Sequence, residues 1–259
     1  MDCPFMTMDL EGGTKDNAIP IYAKALIAVS KKRKDQIKAN IDKLHEDFRK
    51  QYGATDPDGY VKCSEVEPAD RNDMQSCLQN TKKEILLFSK ERTRQIIDFL
   101  CEVPNGVQSM CTEMPELPQT SLNLGVLKLE ADGLHITFSI RSSIASQKEM
   151  LPQRVHSIVE FAGGTVTERG KYPGWQYERN SAFRDMVLET YHDLTGKEGV
   201  VEATHGGLEC GLLIEKIPGL DAISMGPELH DVHSVRERLN VPSTERVYAL
   251  VCEALRRSK

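Results

Sequence analysis

The sequence predicts an α+β protein, in which an antiparallel sheet with helices is followed by a smaller α/β segment. Three observations predict this class. Residues 123–141 alternate between apolar and polar side chains on both sides of an Asp132-Gly133 turn signal, which is typical of a β-hairpin. Helical patterns, with apolar residues recurring every three or four positions, lie on both sides of this hairpin. Beyond residue 172, short apolar runs alternate with further helical patterns.

The segment before the hairpin is predicted to contain strands and two helices. Apolar residues in 31–52 recur at spacings of four, three and four positions, which places them on one helical face. Gly53 directly follows this pattern and is placed to end the helix. The predicted elements are strands at 5–10 and 59–66, helices at 31–52 and 74–101, and an extended segment after Pro20.

The hairpin leads into a helix and then into a rigid turn. The apolar face of residues 146–162 predicts the helix, and Gly163-Gly164 ends it. The turn Tyr172-Pro173-Gly174-Trp175 contains the only tryptophan, and we place a domain boundary there. The predicted domains are residues 1–172 and 173–259. The second is predicted to contain helices at 181–194 and 244–257, with Asn180 or Ser181 and then Ser243 as their caps, and strands at 200–203, 208–214 and 222–225.

The composition argues against several kinds of partner. The net charge of -6 and the pI near 5.7 disfavour binding to nucleic acid or to an anionic membrane. There is no apolar run of about 18 residues that could span a membrane, and the first residues lack the pattern of a signal peptide. The seven cysteines include no Cys-x-x-Cys pair, which indicates reduced thiols. We therefore expect a cytoplasmic protein with no nucleic-acid or membrane partner.

Seven short motifs carry a resemblance to a known family. The motifs are GGTKDNAIP, TSLNLGV, FSIRSS, YPGW, HGGLECGLL, LDAISMGP and HSVRE. Together, in this order and spacing, they resemble the aminoacyl-histidine dipeptidases (Xaa-His or beta-Ala-His dipeptidases), which are two-zinc metallopeptidases. The resemblance implies a lid-type antiparallel sheet with helices, followed by the C-terminal part of an α/β zinc-peptidase catalytic domain. It also implies hydrolysis of dipeptides that end in histidine, by a water molecule that zinc activates.

The last motif contains the candidate metal ligand, His233. The resemblance implies that this histidine is the last zinc ligand of the intact site, whereas its surroundings alone favour a surface-loop histidine. Ser234 and Glu237 have the spacing of a helix capping box, which would fix the backbone just after the ligand. The family's proline after the serine is Val235 here. Asp231 is either a hydrogen-bonding partner of the ligand or a turn residue.

Four residues are candidates for substrate binding. Arg141 resembles the lid arginine that grips the substrate's C-terminal carboxylate in related dipeptidases, although its spacing alone favours an ordinary strand-end arginine. His205 matches the histidine of the family's His-Ala-Gly-Leu-Glu segment. Glu209 either contacts the substrate's amine or holds the turn through hydrogen bonds. Gly207 lets the backbone approach a ligand closely.

The resemblance extends along nearly the whole chain but matches only the C-terminal half of the family's length. A catalytic zinc needs about three protein ligands. The family's His-x-Asp motif, bridging aspartate, Glu-Glu pair and further aspartate are not found in this sequence. We therefore expect an incomplete two-zinc site and an inactive isolated chain. Either a separate chain supplies an N-terminal half and completes a dipeptidase, or the chain is an inactive truncated product that serves as an interaction module; a homodimer is possible.

Overall fold

The computed structural model describes residues 3–66, 87–203, 207–232 and 234–258. A short 3-10 turn, Lys31–Arg33, precedes the first helix. In chain order the strands and helices of the described residues are β1 (Phe5–Gly12), β2 (Ala23–Val29), α1 (Lys34–Tyr52), α2 (Lys90–Glu102), β3 (Gly106–Met110), β4 (Pro118–Glu130), β5 (Gly133–Ser142), α3 (Ala145–Phe161), α4 (Ala182–Thr195), α5 (Glu209–Lys216), β6 (Leu229–His230), β7 (Arg238–Leu239) and α6 (Val241–Arg257).

The five longer strands form one sheet, in the order β2-β1-β4-β3, with β5 also paired to β4. β1 pairs antiparallel with β2 and, at its end, with β4. β3 pairs antiparallel with the beginning of β4, where Gly106 lies opposite Leu122. The short strands β6 and β7 form a separate antiparallel ladder. This arrangement, together with the helices, confirms the predicted class.

Contacts divide the chain into two compact units that alternate along the sequence. The first consists of Met1–Pro104, Asn123–Ser139 and Phe161–Gly163, and the second of Asn105–Leu122, Ile140–Glu160 and Gly164–Lys259. The Tyr172–Trp175 turn lies inside the second unit. The domain boundary between residues 172 and 173 stays a prediction, because each of the two units is made of several separate segments of the chain.

In the first unit, a buried threonine anchors α2 on β1. The side chain of Thr93 is fully buried, and its hydroxyl oxygen accepts a hydrogen bond from the Thr7 backbone N–H at 2.8 Å. The Phe88 N–H donates to the Thr7 carbonyl oxygen at 3.0 Å. The Ser89 hydroxyl caps α2 by accepting a hydrogen bond from the Arg92 N–H. The helix is therefore held at its start and on its buried face.

The loop between β1 and β2 is held against β4 by side-chain hydrogen bonds. The Asn123 amide donates to the carbonyl oxygens of Asp16 and Ala18, at 2.7 and 2.9 Å. Gly13 begins the loop with φ at 65°, a conformation that glycine adopts without strain. Gly125 lies directly beneath the loop backbone. The close approach of loop and strand depends on the missing side chain at position 125.

In the second unit, α4 and α6 pack on each other around a small apolar core. Val187, Leu250 and Ala254 are buried there, with Ile223 packed against them. Burial of these side chains follows the helical spacing of apolar residues in both segments. α6 exposes Tyr248 on its surface. One face of α6 is therefore buried in this core, and another face is exposed to solvent.

The beginning and the end of α4 follow the expected capping chemistry. The Ser181 hydroxyl accepts a hydrogen bond from the Arg184 N–H, and Gly196 ends the helix in the left-handed conformation, with φ at 67°. Asp221 adds a contact that the sequence analysis did not predict. Its carboxylate accepts hydrogen bonds from the Ser181 hydroxyl at 2.7 Å and from the Phe183 N–H at 3.0 Å. The LDAISMGP motif thus supplies a second acceptor to the start of α4.

Several predicted elements are confirmed with small shifts of their ends. The hairpin at 123–141 is β4 and β5. The C-terminal half of the predicted helix at 74–101 is α2, whereas residues 67–86 lie outside the described part of the chain. The confirmed helices are those predicted at 31–52, 146–162 and 181–194, and the confirmed strand is that predicted at 5–10.

The strand predicted at 59–66 is wrong. This segment runs along α1 without regular structure. Two of its backbone groups bond to side chains of that helix: the Val61 N–H donates to His45 Nδ1 at 3.2 Å, and the Arg49 guanidinium donates to the Gly59 carbonyl oxygen at 3.5 Å. Tertiary contacts thus satisfy polar groups that a strand partner would otherwise satisfy.

The predicted strands of the C-terminal region are also wrong. Residues 208–214 were expected to be extended but form most of α5, because a short apolar run fits a strand or a buried helix equally well. Residues 200–203 and 222–225 have no strand assignment. The last helix begins at Val241, before the predicted start at Thr244. Asn240 is its N-cap, and its side chain accepts a hydrogen bond from the Ser243 N–H.

None of the described helices combines the length and the apolar character needed to cross a lipid bilayer.

Acid conditions are expected to weaken a specific ion pair in the second unit. The Thr112 hydroxyl donates to Glu113 at 2.7 Å and Arg179 Nε donates to it at 2.9 Å, and these contacts lower the pKa of Glu113 from 4.5 to about 2. A carboxyl group with a lowered folded-state pKa stabilises the fold above its unfolded pKa, and this contribution is lost as pH falls through the folded pKa. We expect Glu113→Gln to reduce the free energy of unfolding by a constant amount above pH 4.5 and by progressively less between pH 4.5 and about 2.

Urea unfolding of both proteins across this pH range measures the difference. Glu116→Gln is the matched control, because Glu116 is on the same connection and forms no hydrogen bond with another described residue. Its effect should be small at every pH. A Glu113→Gln effect that does not change between pH 2 and 6 would contradict the proposed origin of the stabilisation.

Candidate functional site

The Tyr172–Trp175 turn is the centre of the candidate site, because it contacts the start of α5. A methyl group added at Gly211, in the first turn of α5, would lie 3.2 Å from the Gly174 carbonyl oxygen and 3.3 Å from that of Pro173. The helix can approach the turn this closely because position 211 has no side chain. Two of the sequence motifs, YPGW and HGGLECGLL, therefore meet in the second unit.

The same turn contacts the end of β5. A methyl group added at Gly174 would lie 2.6 Å from the Ser142 carbonyl oxygen and 2.7 Å from that of Ser143. These two residues directly follow Arg141, the predicted carboxylate-binding residue. The half-buried Arg141 side chain forms no ion pair with any described residue. Its guanidinium is thus available to an anionic group.

The aromatic ring of Tyr172 connects the turn with Gly207 and with α3. A methyl group added at Gly207 would lie only 2.1 Å from Tyr172 Cε2, so the ring occupies the space of a side chain at position 207. On this ring, Lys148 Nζ lies 3.7 Å from the centroid, which is a cation–π contact. Burial lowers the pKa of Lys148. Within the described chain no carboxylate pairs with this ammonium group.

Three of the predicted substrate-binding residues are therefore brought to one region. Arg141 is at the end of β5, Gly207 lies against Tyr172, and Glu209 is the first residue of α5. The fourth, His205, lies outside the described residues. The region combines two cationic side chains, Arg141 and Lys148, with a helix start, and positive groups of these kinds attract carboxylates.

A buried polar network holds the end of β5 in place. The hydroxyls of Thr120 and Ser142 lie 2.8 Å apart, and both residues are buried. Gln147 extends the network: its Oε1 accepts from the Ser109 hydroxyl at 2.7 Å and from the Thr120 hydroxyl, and its Nε2 donates to Gln119 Oε1 at 3.2 Å. Satisfied buried networks of this kind restrict side-chain movement. The strand end that precedes the Tyr172–Trp175 turn is therefore a rigid support.

The sequence analysis did not single out Tyr172, Lys148 or this network as parts of a site. Tyr172 was visible within the YPGW motif, and Thr120 and Ser142 within TSLNLGV and FSIRSS. No local pattern links residue 148 with residue 172 or 207, because their proximity depends on how α3 packs. A single sequence carries no signal for such a contact.

Asp231, Ser234 and Glu237 lie together in the turn between β6 and β7. Asp231 has a positive φ of 52°, and its carboxylate accepts a hydrogen bond from the Arg238 guanidinium at 2.9 Å. The Ser234 hydroxyl donates to the Asp231 carbonyl oxygen at 2.7 Å and accepts from the Arg236 N–H. The location of Asp231 between β6 and β7, and its hydrogen bonds with Ser234 and Arg238, agree with a role as a turn residue. Its role beside a metal ligand stays a prediction.

The capping box predicted from Ser234 and Glu237 is not formed. Strand β7 follows this turn, so there is no helix start for the two side chains to cap. The Glu237 N–H donates to the Ser234 backbone carbonyl oxygen at 3.2 Å. The S-x-x-E spacing occurs here within a tight turn, where it satisfies backbone groups locally.

The predicted two-zinc site is not assembled by the described residues. His233, the candidate ligand, lies outside them. Among the neighbouring residues, the Asp231 carboxylate is engaged by Arg238. The one group of three potential ligands found in the described part of the chain is Glu130, Asp132 and His135, which belongs to the other compact unit. The described residues of the β6–β7 turn do not by themselves fit a zinc pair.

The known proteins that are similar to the chain include two dipeptidases. It is 30% identical over 249 residues to the cytosol non-specific dipeptidase of Escherichia coli (strain K12), a match that covers 96% of this chain and 48% of the relative. The chain thus spans about half the length of the curated relative that it matches. Its fold matches the crystal structure of aminoacylhistidine dipeptidase from Vibrio alginolyticus with a TM-score of 0.81 and 24% identity, over 99% of this chain and 49% of that one. No protein-family model matches.

Proposed function

Because the chain is related to these dipeptidases along almost its whole length, we propose that it forms the lid and the C-terminal catalytic segment of a metal-dependent dipeptidase. The observation that carries the proposal is the 30% identity over 96% of the chain. The motifs of the candidate site lie within this matched length. The reaction is hydrolysis of a dipeptide, with dipeptides that end in histidine as the proposed substrates.

The structure supports separate roles for the residues of the second unit. Arg141, rigidly supported and without an ionic partner among the described residues, binds the carboxylate at the substrate's C-terminus. Lys148 adds positive charge near the same turn. Glu209 contacts the substrate's free amine. The backbone at Gly207 lies close to the bound substrate, with Tyr172 packed against it.

The proposed cofactor is a pair of zinc ions, of which this chain supplies one ligand, His233. Zinc would supply an activated water molecule. Asp231, Ser234 and Glu237 fix the loop that contains the ligand. The remaining ligands and the general base come from residues that this sequence does not contain, which agrees with the match to about half of the relative. A cytosolic location is proposed from the relative, which is named as a cytosol enzyme.

We expect the isolated chain to hydrolyse no dipeptide, even with added zinc, because one matched ligand cannot hold a catalytic metal. Activity should emerge when a polypeptide carrying the family's His-x-Asp and Glu-Glu motifs is added. The measurement is release of free amino acids from β-alanyl-histidine and from a dipeptide without histidine. The ratio of the two rates then reports the substrate class.

Two variants make this experiment specific. His233→Ala should abolish the activity of the mixture, whereas His230→Ala, which alters an exposed histidine of the same hairpin, should leave it unchanged. Turnover by the isolated chain, above that of its His233→Ala variant, would contradict the proposal. If the mixture is inactive although both chains bind each other, or if sedimentation shows only a homodimer, the alternative function as an interaction module is favoured.

A further inference from the structure

Three potential metal ligands converge at the tip of the β4–β5 hairpin. Glu130 ends β4, Asp132 is in the turn, and His135 is on β5. One ligand atom from each of these side chains lies within 4.8 Å of the other two, and all three side chains reach solvent. We call these three residues the hairpin-tip triad. It lies in the first compact unit, outside the candidate site described above.

The distances within the triad suit one shared cation. His135 Nε2 lies 2.9 Å from Asp132 Oδ1. Two atoms that bind the same zinc-like ion, each about 2.0–2.2 Å from it, lie about 3 Å apart when they are adjacent in the coordination sphere. A Glu130 carboxylate oxygen lies within 4.8 Å of a ligand atom of each of the other two side chains, and a rotation of the Glu130 side chain can shorten this to the spacing of a third ligand. Solvent accessibility leaves the other positions of such an ion open to water.

The ligand types of the triad favour a transition-metal ion. Asp132 supplies one carboxylate, and a metal ion can take the place of the proton in the hydrogen bond between His135 Nε2 and Asp132 Oδ1. Glu130 adds a second carboxylate to the same hairpin. One imidazole with two carboxylates suits Ni²⁺, Zn²⁺ and Cu²⁺ better than Mg²⁺ or Ca²⁺, which prefer oxygen ligands alone.

His192 has the same types of neighbour as His135, but its neighbouring carboxylates do not point to one position. His192 also has two carboxylates nearby, but Nδ1 faces Asp193 at 3.9 Å and Nε2 faces Glu198 at 3.6 Å. The two ring nitrogens point in different directions, so these carboxylates cannot share one ion with the ring. Asp193 is also paired with Arg257. His192 is therefore a control with the same residue types and a different geometry.

We propose that Glu130, Asp132 and His135 form a surface site for a divalent transition metal ion that ties the turn of the β4–β5 hairpin together. The site does not depend on the proposed dipeptidase activity. Its ligands come from a six-residue segment, so the hairpin itself pre-organises them. Bound metal joins the end of β4 to the beginning of β5 and resists opening of this turn.

The test uses Ni²⁺ alone as the probe, added to the full chain at pH 7.5, with the affinity measured by titration calorimetry. Ni²⁺ is paramagnetic, so NMR line broadening locates it independently. We expect broadening of the amide signals of residues 128–137, and a weakening of this binding by about tenfold or more in His135→Ala, because one of three protein ligands is removed. Asp132→Asn, which preserves the side-chain shape, should weaken binding similarly.

The control His192→Ala should bind Ni²⁺ as the unaltered chain does, and Mg²⁺ should leave the signals of residues 128–137 unchanged. Broadening confined to other parts of the chain would overturn the proposal. It would also fail if His135→Ala and His192→Ala weakened binding equally, which would identify adventitious binding to surface histidines. None of these readouts involves peptide hydrolysis, so an inactive chain does not affect the result.

Discussion

Replacing Gly125 by alanine is expected to destabilise the chain strongly, by about 1–3 kcal/mol or more in the free energy of unfolding. The added methyl group would lie 2.4 Å from the Asp16 carbonyl oxygen and 2.5 Å from both Asp16 Cα and the Lys15 carbonyl oxygen. These are backbone atoms, so no side-chain rotation relieves the clash. The loop cannot simply move away, because Asn123 holds it through two hydrogen bonds.

Urea unfolding measures this effect, and Gly226→Ala is the matched control. A methyl group at Gly226 has no atom within 4 Å and its φ is not in the left-handed region, so the same substitution should change stability little. Hydrogen exchange at Asn17 and Ala18 should rise in Gly125→Ala as the loop is displaced. Equal stability of the two variants would show that the loop does not pack on β4 as described.

Gly207→Ala is expected to have the second large effect, because the methyl group would overlap the ring of Tyr172. The nearest approach is 2.1 Å to Cε2, and the ring must leave its position. This movement also removes the cation–π contact with Lys148. Tyr172 is 38% exposed and its ring can turn aside, so we expect a loss of about 1 kcal/mol in the free energy of unfolding, and a change in the fluorescence of Trp175, the only tryptophan, which lies in the same turn.

A double-mutant cycle separates overlap with the ring from a general loss of backbone freedom. Tyr172→Ala removes the ring, so adding Gly207→Ala to it should cost far less than Gly207→Ala costs in the unaltered chain. Residues in direct contact show such non-additive effects, whereas independent residues do not. Strictly additive costs would mean that Tyr172 and Gly207 are not in contact.

Local patterns were sufficient for the elements that have a regular period and clear ends. The hairpin around Asp132-Gly133 was predicted because strict alternation and a two-residue turn act over a few neighbouring positions. The helix predicted at 181–194 is observed at Ala182–Thr195; of its two candidate caps, Asn180 and Ser181, Ser181 is the observed one, and its predicted stop, Gly196, is confirmed. These signals depend on hydrogen bonds and backbone conformations of neighbouring residues, so they can be recognised without knowing how the rest of the chain folds.

Short apolar runs were predicted poorly because their environment decides their structure. The apolar run after Gly207 is compatible with a strand and with a buried helix. The structure has a helix there, in which Gly211 packs closely against Gly174. The segment at 59–66 had strand-like composition, but its Val61 N–H and Gly59 carbonyl oxygen bond to the α1 side chains His45 and Arg49. Both outcomes depend on partners that are distant in sequence.

For the candidate site, the sequence by itself determined the residue types and the motifs: an arginine at the end of a strand, glycines beside an acidic residue, and the resemblance to dipeptidases. The roles given to Arg141, Gly207 and Glu209 stay predictions. Only the tertiary structure decided that their segments meet at the Tyr172–Trp175 turn, that Tyr172 fills the space beside Gly207, and that Lys148 lies on its ring. The reason is physical. Motifs record which groups are present, but contacts between distant segments depend on the packing of complete elements, to which every residue of those elements contributes.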